Sequence, residues 1–180
     1  CERAGMNLID VYKHPIHGTS YIFVISRDKE AKLNIERMIV EEENMGLYDP
    51  DTYVEYAEKA HMTAHKFAEF IQDCRAKKIT VVGYGAPAKG NTLMNFANEK
   101  PDFIVDDSPF KQMMFTPGMS APIYPAPYLT LNYFETRKVA FIPLAWNFYD
   151  EIEGKIRKLR PKHLFNDVIL RYFPKFEINE

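Results

Sequence analysis

The chain has 180 residues, enough for one full-sized domain and some extra structure but not for two large domains. Its composition, 46% hydrophobic and 27% charged, is that of a globular protein with a packed core and excludes the disordered and membrane-spanning classes. The net charge of −2 argues against a nucleic-acid-binding surface, which needs a concentrated positive field. Two cysteines are too few for a four-thiolate zinc site or a disulfide framework, so the sequence favours a reducing cytoplasm.

The first segment of the chain predicts a β-hairpin. Residues 6–12 and 19–26 are rich in β-branched and aromatic side chains, and a turn-like segment separates them. Apolar side chains alternate onto both faces of the second strand, and a lone hairpin cannot bury two apolar faces. We therefore expect this hairpin to be the exposed end of a larger sheet. Because the chain also begins with Cys1 rather than Met, we expect it to be cut from something longer.

Two helices and an alternation of strands and helices follow. The helices are predicted over 31–44 and 49–77, the second opened by an Asp-Pro cap. The period then changes, and alternating strands and helices indicate a doubly wound parallel sheet. The proline-rich stretch 108–128 reads as irregular loop. The predicted strands are 78–83, 103–106 and 139–143, and the predicted helices between and after them are 88–98 and 150–159.

A glycine-rich segment stands where the first of these strands ends and a helix begins. It reads GYGAPAKGN from Gly83 to Asn91 and satisfies the loose dinucleotide pattern G-x-G-x-x-A. Asp106 follows at the distance expected of a residue that binds the ribose of a nicotinamide nucleotide. The alternative is that the glycines only allow the helix to pack closely on the strand. A phosphate-binding P-loop is excluded, because Asn91 follows Gly90 where that motif has Lys.

Histidines and a cysteine are further candidates. His61 and His65 lie four residues apart on one helix face and could share a metal ion, but no third ligand accompanies them, so we read them as helix histidines and predict no metal site. Cys74 has no signature of a nucleophile around it and reads as a buried thiol.

Two candidates lie where ligands usually bind. His17 stands in the hairpin turn with hydroxyl residues after it, and it is either a ligand-facing imidazole or a turn histidine bonded to backbone. Trp146 and Asn147 follow the third strand of the sheet, at the edge where open parallel sheets hold ligands. Trp146 could equally fill a gap in the core.

Several segments together resemble one family. In order along the chain they are HGTS from His17, GYGAPAKGNTLMN from Gly83, FIVDDSPFKQ from Phe103, FTPG from Phe115, PI from Pro122, and PLAWN from Pro143. This combination resembles the C-terminal domain of the sugar C-methyltransferases, which place a methyl group from S-adenosylmethionine on a nucleotide-linked keto-deoxysugar. The resemblance implies an α/β fold, a Rossmann-like doubly wound parallel sheet preceded by a β-hairpin and two connecting helices. It implies residues 1–28 as the last strands of an upstream methyltransferase domain, 29–77 as connecting helices and 78–180 as the C-terminal domain.

The resemblance also implies site residues. Facing or near the diphosphate of the nucleotide-linked sugar it places Gly85, Ala86, Lys89 and Asn91, with Lys111 as a second cation. His17 would orient the sugar or handle a proton, and Trp146 and Asn147 would line the opening.

The same resemblance sets limits. The segments that hold S-adenosylmethionine, zinc and the catalytic base in the family lie upstream, so we expect no cofactor on this chain, no activity from it alone, and an upstream or partner methyltransferase domain. Thr19, Asp107 and the Met113-Met114 pair depart from the family pattern at the substrate turn and the phosphate loop. A freestanding nucleotide-sugar binding module and an NAD(P) domain of an oxidoreductase remain as alternatives.

Overall fold

The computed structural model describes residues 1–16, 19–27, 33–131, 134, 137–161 and 166–179. The chain divides into two compact units, residues 1–58 and 59–180. The boundaries predicted at residues 28 and 77 stay predictions.

The first unit contains the predicted hairpin. Strands β1 (Asn7–His14) and β2 (Ser20–Ser26) pair antiparallel. Helix α1 (Leu33–Asn44) is tied to β1 because the Asn34 amide donates a 3.2 Å hydrogen bond to the buried carboxylate of Asp10. Both faces of β2 carry apolar side chains that are close to half exposed or more: Tyr21, Ile22, Phe23 and Ile25.

The second unit is built around a six-stranded sheet. Helix α2 (Pro50–Ala76) begins in the first unit and continues into the second. The sheet contains β3 (Thr80–Tyr84), β4 (Phe103–Val105), β5 (Ile123–Tyr124), β6 (Val139–Pro143), β7 (Val168–Arg171) and β8 (Glu177–Asn179). Its order is β5-β4-β3-β6-β7-β8, and all neighbours are parallel except β7 and β8. With β3 counted first this is the order 3-2-1-4-5-6 of a Rossmann-like fold.

Helices cover both faces of this sheet. Alternate residues of a strand point to opposite faces, so Val81 packs into a core with Phe67 and Ile71 of α2, whereas Val82 packs into a second core. The second core contains Ile152 and Ile156 of α4 (Tyr149–Leu159). The doubly wound α/β prediction is confirmed.

A buried ion pair fixes the entry to β6. Arg160, directly after α4, donates from Nε to Oδ2 of Asp167 over 2.6 Å, and both side chains are almost fully buried. Oδ1 of Asp167 accepts the N–H of Val139 at 2.9 Å. The pair therefore ties the end of a helix to the first residue of a central strand.

The stretch 108–128 was predicted to be irregular loop, and this prediction is only partly correct. It contains β5 and a short 3-10 helix at Ala126–Thr130. β5 has two residues, too few for a hydrophobic pattern, and pairing with β4 makes it a strand. Helix α3 (Ala88–Ala97) falls where predicted. Among the described helices, none combines the length and the apolar character that crossing a membrane requires.

Candidate functional site

The glycine-rich segment forms the turn from β3 into α3. Gly85 takes φ of +82°, a conformation that favours glycine. A Cβ on Gly90 would lie 2.7 Å from Cβ of Leu144, so this glycine lets α3 approach the residue that follows β6. Close packing therefore explains Gly90, whatever the loop binds.

A carboxylate closes this loop from inside the protein. Oδ2 of Asp106 accepts the backbone N–H of Ala86 over 2.6 Å, and Oδ1 accepts the N–H of Ser108 over 2.8 Å. Nζ of Lys111 lies 3.2 Å from Oδ2. Asp106 is 6% exposed. Its carboxylate already accepts the Ala86 N–H, a loop N–H group that would bind a phosphate in the dinucleotide pattern.

The carboxylate stays ionised in this position. Burial acts to raise the pKa of Asp106, but the N–H groups of Ala86 and Ser108 and the ammonium of Lys111 outweigh it, so the pKa lies below its ordinary value. The carboxylate of Asp106 is thus bonded to the loop and not free to bind a ribose, which argues against the hypothesis of an NAD(P)-binding domain.

An open cleft of about 380 Å³ lies between the start of α3 and the segment 110–117. Its wall is mostly apolar, and Phe110 and Phe115 of that segment are 88% and 67% exposed. The lining residues are Ala86, Pro87, Ala88, Asn91, Met94, Phe110, Lys111, Met114, Phe115, Thr116, Pro117 and Ile123. A cleft of this size, beside the carboxyl ends of parallel strands, suits part of an organic ligand.

Three polar side chains line this cleft. Thr116 Oγ1 accepts the N–H of Ala121 over 3.0 Å, and Lys111 is bound to Asp106. Asn91 differs, because its Oδ1 is buried and has no hydrogen-bond partner in the described part of the chain. The family resemblance assigned Gly85, Ala86, Lys89, Asn91 and Lys111 to one site. The structure brings Ala86, Asn91 and Lys111 together on this cleft, and Gly85 and Lys89 do not line it.

A second, smaller cavity of about 210 Å³ lies at the switch between β3 and β6. Gly85 lines it together with Tyr84, and Lys155 bridges Asp107 and Glu151 at 2.8 and 2.9 Å. Burial, with the charge of Asp107, raises the pKa of Tyr84 to about 12, so this phenol is neutral. A partly exposed ion-pair cluster therefore lines the place where Rossmann-like folds usually hold a ligand.

The structure places Lys89 and Trp146 against each other. Nζ of Lys89 lies 5.0 Å from the centre of the Trp146 ring, within the range of a cation–π contact. Phe173 packs edge-on against the same ring at 4.6 Å. Asn147 is half-buried in the short 3-10 helix Trp146–Phe148. None of these residues lines either of the two cavities, and their roles stay predictions.

The histidine candidates are placed as follows. His17 lies outside the described residues, so its role stays a prediction. The His61 ring packs on Phe96 at 5.0 Å, and Nδ1 of His65 lies 3.2 Å from a carboxylate oxygen of Glu69. Within the described ranges no group of three or more His, Cys, Asp or Glu side chains could hold a metal ion.

The apolar wall of the main cleft was not predicted as part of the site. Phe110 and Phe115 belong to segments that carried the family resemblance, but no role was given to them. A signal was available, because large aromatic side chains in a proline-rich loop are expected either to be buried or to face a ligand.

Comparisons with known proteins agree with the resemblance read from the sequence. The model of a family described as "C-methyltransferase C-terminal domain" matches residues 15–163. The C-methyltransferase NovU of Streptomyces niveus is 28% identical over 157 residues, which cover 84% of this chain and 36% of that protein. The chain therefore spans little more than a third of the length of this curated relative.

Among solved structures, UDP-D-quinovosamine 4-dehydrogenase from Vibrio fischeri is 22% identical, and the match covers 51% of this chain and 75% of that one with a TM-score of 0.35. The strand order of the sheet, and not this resemblance, carries the fold assignment.

Proposed function

Because the chain belongs to the C-methyltransferase C-terminal domain family, we propose that it is the part of a sugar C-methyltransferase that holds a nucleotide-linked sugar. The observation that supports this most is the cleft beside the glycine-rich loop, with its apolar walls and one lysine. Apolar clefts with few, separate polar groups favour organic ligands, and Lys111 supplies positive charge for a diphosphate.

The methyl donor belongs, on this proposal, to another part of the enzyme. S-adenosylmethionine would supply the methyl group there. The residues of this chain do not fit it at the glycine-rich loop, because Asp106, the carboxylate expected to hold a ribose, is already bonded to Ala86, Ser108 and Lys111. We therefore place the donor site in a methyltransferase domain upstream or in a partner chain.

Separate sites for the methyl donor and for the sugar are compatible with the chemistry of C-methylation. Methylation of a carbon beside a carbonyl needs a positioned base and a substrate fixed in line with the donor. The described cleft residues offer positioning groups, whereas no carboxylate or imidazole lines the cleft itself. We propose that His17 orients the sugar or handles a proton and that the chain alone transfers no methyl group.

We place the domain in a reducing compartment such as the cytoplasm. The support is that both cysteines are free, Cys74 being buried and Cys1 exposed.

Binding of ligands to the purified chain tests the proposal. Isothermal titration and thermal shift are run with nucleoside diphosphate sugars, S-adenosylmethionine and NAD, because a ligand that binds only the folded state raises the unfolding midpoint. We expect binding of the nucleotide sugars, none of NAD, and no methyl transfer when donor and sugar are both present. Binding of NAD alone would favour an oxidoreductase domain, and methyl transfer by this chain would contradict the division of labour.

A further inference from the structure

Asn95 joins the two walls of the main cleft from a place outside it. It is an exposed residue of α3, one turn beyond Asn91, and it does not itself line the cleft. Its side-chain nitrogen donates to the carbonyl oxygen of Asn91 over 2.8 Å and to that of Pro117 over 3.1 Å. Asn91 belongs to the helix wall of the cleft and Pro117 to the loop wall. One side chain therefore bridges the two walls.

The loop makes room for Asn95 at Gly118, the residue after Pro117. Gly118 takes φ of +77°, a conformation that favours glycine. A Cβ at this position would also collide with Oδ1 of Asn95. Asn95 could move away from such a Cβ only by disturbing its bonds to the two walls. The backbone angle and the contact with Asn95 thus both require glycine here.

Lys100 holds the same turn of the loop, residues 117–120, from its other end. Nζ of Lys100 donates to the carbonyl oxygens of Met119 and Ser120 over 2.8 and 3.3 Å. The backbone of Lys100 is fixed in turn by α2, because Arg75 donates to its carbonyl oxygen over 2.6 Å. Of the two side chains that anchor the turn, Asn95 is the one bonded to residues that line the cleft.

The loop wall gains little stability from its own side chains. Met113 takes φ of +63°, which is uncommon for a residue with a side chain. Apolar side chains stabilise a loop in proportion to the area they bury, and four large ones in this wall are more than half exposed: Phe110, Met113, Met114 and Phe115. The position of the wall therefore depends on hydrogen bonds at its base, among them the one from Asn95 to Pro117.

We propose that Asn95 is a positioning residue of the cleft, which sets the distance between the two walls by tying Pro117 to Asn91. A loop that is ordered before binding loses less conformational entropy when the ligand arrives, so Asn95 raises the affinity without touching the ligand. This rests on the proposed function, because the ligand in question is the nucleotide-linked sugar. Asn95 lies in a segment that carried the family resemblance, where no role was given to it.

Asn95→Ala removes the bridge and is tested in the whole 180-residue chain. The nitrogen-15 shift of the Gly118 amide reports the hydrogen bond, because this amide shares a peptide group with the Pro117 carbonyl. We expect that shift to change and the backbone order parameters of Thr116 and Gly118 to fall from about 0.85 to about 0.7 or lower. We expect the Kd of UDP-glucose or TDP-glucose, measured by calorimetry, to rise about fivefold, the factor that corresponds to one typical hydrogen bond.

Thr92→Val is the matched control on the same helix. Oγ1 of Thr92 donates to the carbonyl oxygen of Ala88 over 3.0 Å, so it makes the same bond to the preceding turn of α3 that Asn95 makes to Asn91. Its loss should change neither the loop order parameters nor the Kd. The unfolding midpoint should stay close to that of the unmodified chain in both variants, because both positions are exposed and alanine favours a helix more than asparagine does. A loss of affinity without a loss of stability separates positioning from a purely structural role.

Gly118→Ala tests the contact from the loop side. The unfavourable backbone angle remains whichever residue stands at 95, but the collision with Asn95 disappears in the Asn95→Ala chain. We therefore expect Gly118→Ala to weaken binding of the same nucleotide sugar more in the unmodified chain than in the Asn95→Ala chain. Equal effects in the two chains would show that Asn95 does not hold the loop at Gly118.

The outcomes separate this inference from the proposed function. Unchanged order parameters in Asn95→Ala, an unchanged Kd with a loosened loop, or a loss of affinity matched by Thr92→Val overturns the role of Asn95 and leaves the proposed function standing. If neither nucleotide sugar binds the unmodified chain, the proposed function fails and the role of Asn95 in binding fails with it.

Discussion

Asp106 and Ala86 are joined by a hydrogen bond of 2.6 Å from the backbone N–H of the glycine-rich loop to the carboxylate at the end of β4. In the dinucleotide pattern these two positions hold two parts of one ligand, a phosphate and a ribose. Here they hold each other. A sequence that satisfies the dinucleotide pattern therefore forms a loop whose Ala86 N–H is bound by the protein's own Asp106 carboxylate.

Asp106→Asn should destabilise the chain in a pH-dependent way. Because the folded-state pKa lies below the ordinary value of 3.8, the carboxylate contributes its full stabilisation above that value and loses it as the pH falls through the folded-state pKa. We expect the variant to lose about 1–3 kcal/mol of unfolding free energy near pH 7 and less near pH 3, below the ordinary pKa of 3.8. Urea unfolding at both pH values measures this.

Asp150→Asn is the control for that comparison. Asp150 is 87% exposed in its pair with Arg171, and a surface pair contributes about 0–1 kcal/mol. A pH-independent loss at Asp106, or an equal loss at Asp150, would show that the loop does not depend on the ionised carboxylate.

Gly90→Ala and Gly154→Ala should change stability in opposite directions. Both glycines lie in helices, where alanine is favoured by about 1 kcal/mol. At Gly90 a Cβ would lie 2.7 Å from Cβ of Leu144, and overpacking of this kind costs about 1–3 kcal/mol, whereas Gly154 has open space. Denaturant midpoints compare the two. Stabilisation by both substitutions would contradict the close approach of α3 to Leu144.

Arg160→Met should destabilise the chain strongly. It would leave Asp167 charged and buried at the start of β6, and breaking a buried pair from one side costs about 3–5 kcal/mol. Arg157→Met, in a partly exposed pair with Glu153 on the same helix, should cost at most about 1 kcal/mol. Comparable shifts in the urea midpoint would refute the difference in burial.

Lys111→Met should weaken binding of a nucleoside diphosphate sugar by about tenfold, because it removes the lysine that lines the cleft. Lys89→Met should have a smaller effect, because in the unmodified chain the Lys89 ammonium lies over the Trp146 ring, 5.0 Å from its centre. Calorimetric titration of both variants decides which lysine meets the phosphates. A larger loss at Lys89 would restore the arrangement implied by the family resemblance.

The sequence predicted those parts of the fold that have long patterns. The 27-residue helix α2 and the strand β6 fall where hydrophobic periodicity places them. Strand β5, with two residues, has no period of its own and exists because β4 offers a free edge. Strand β8 is similarly short, and its antiparallel pairing with β7 depends on the sheet already being present.

The site was predictable in outline and not in its contacts. The family resemblance grouped Gly85, Ala86, Lys89, Asn91 and Lys111, and three of these, Ala86, Asn91 and Lys111, line one cleft. It could not show that Asp106 turns toward the loop, because spacing is the same whether a carboxylate binds a ribose or a backbone amide. The contact of Lys89 with Trp146 could not be predicted either, because these residues lie 57 positions apart in the sequence and meet only in the folded sheet.

The position of a bound nucleotide sugar tests the central claim most directly. Titration of the nitrogen-15-labelled chain with a nucleoside diphosphate sugar is followed through the backbone amide resonances. We predict that the amides of Ala86, Asn91 and Lys111 and of the segment around Phe115 shift together, while those of α4 around Lys155 stay in place. No shift at any amide, or shifts confined to the cavity beside Lys155, would contradict the claim that this cleft receives the nucleotide.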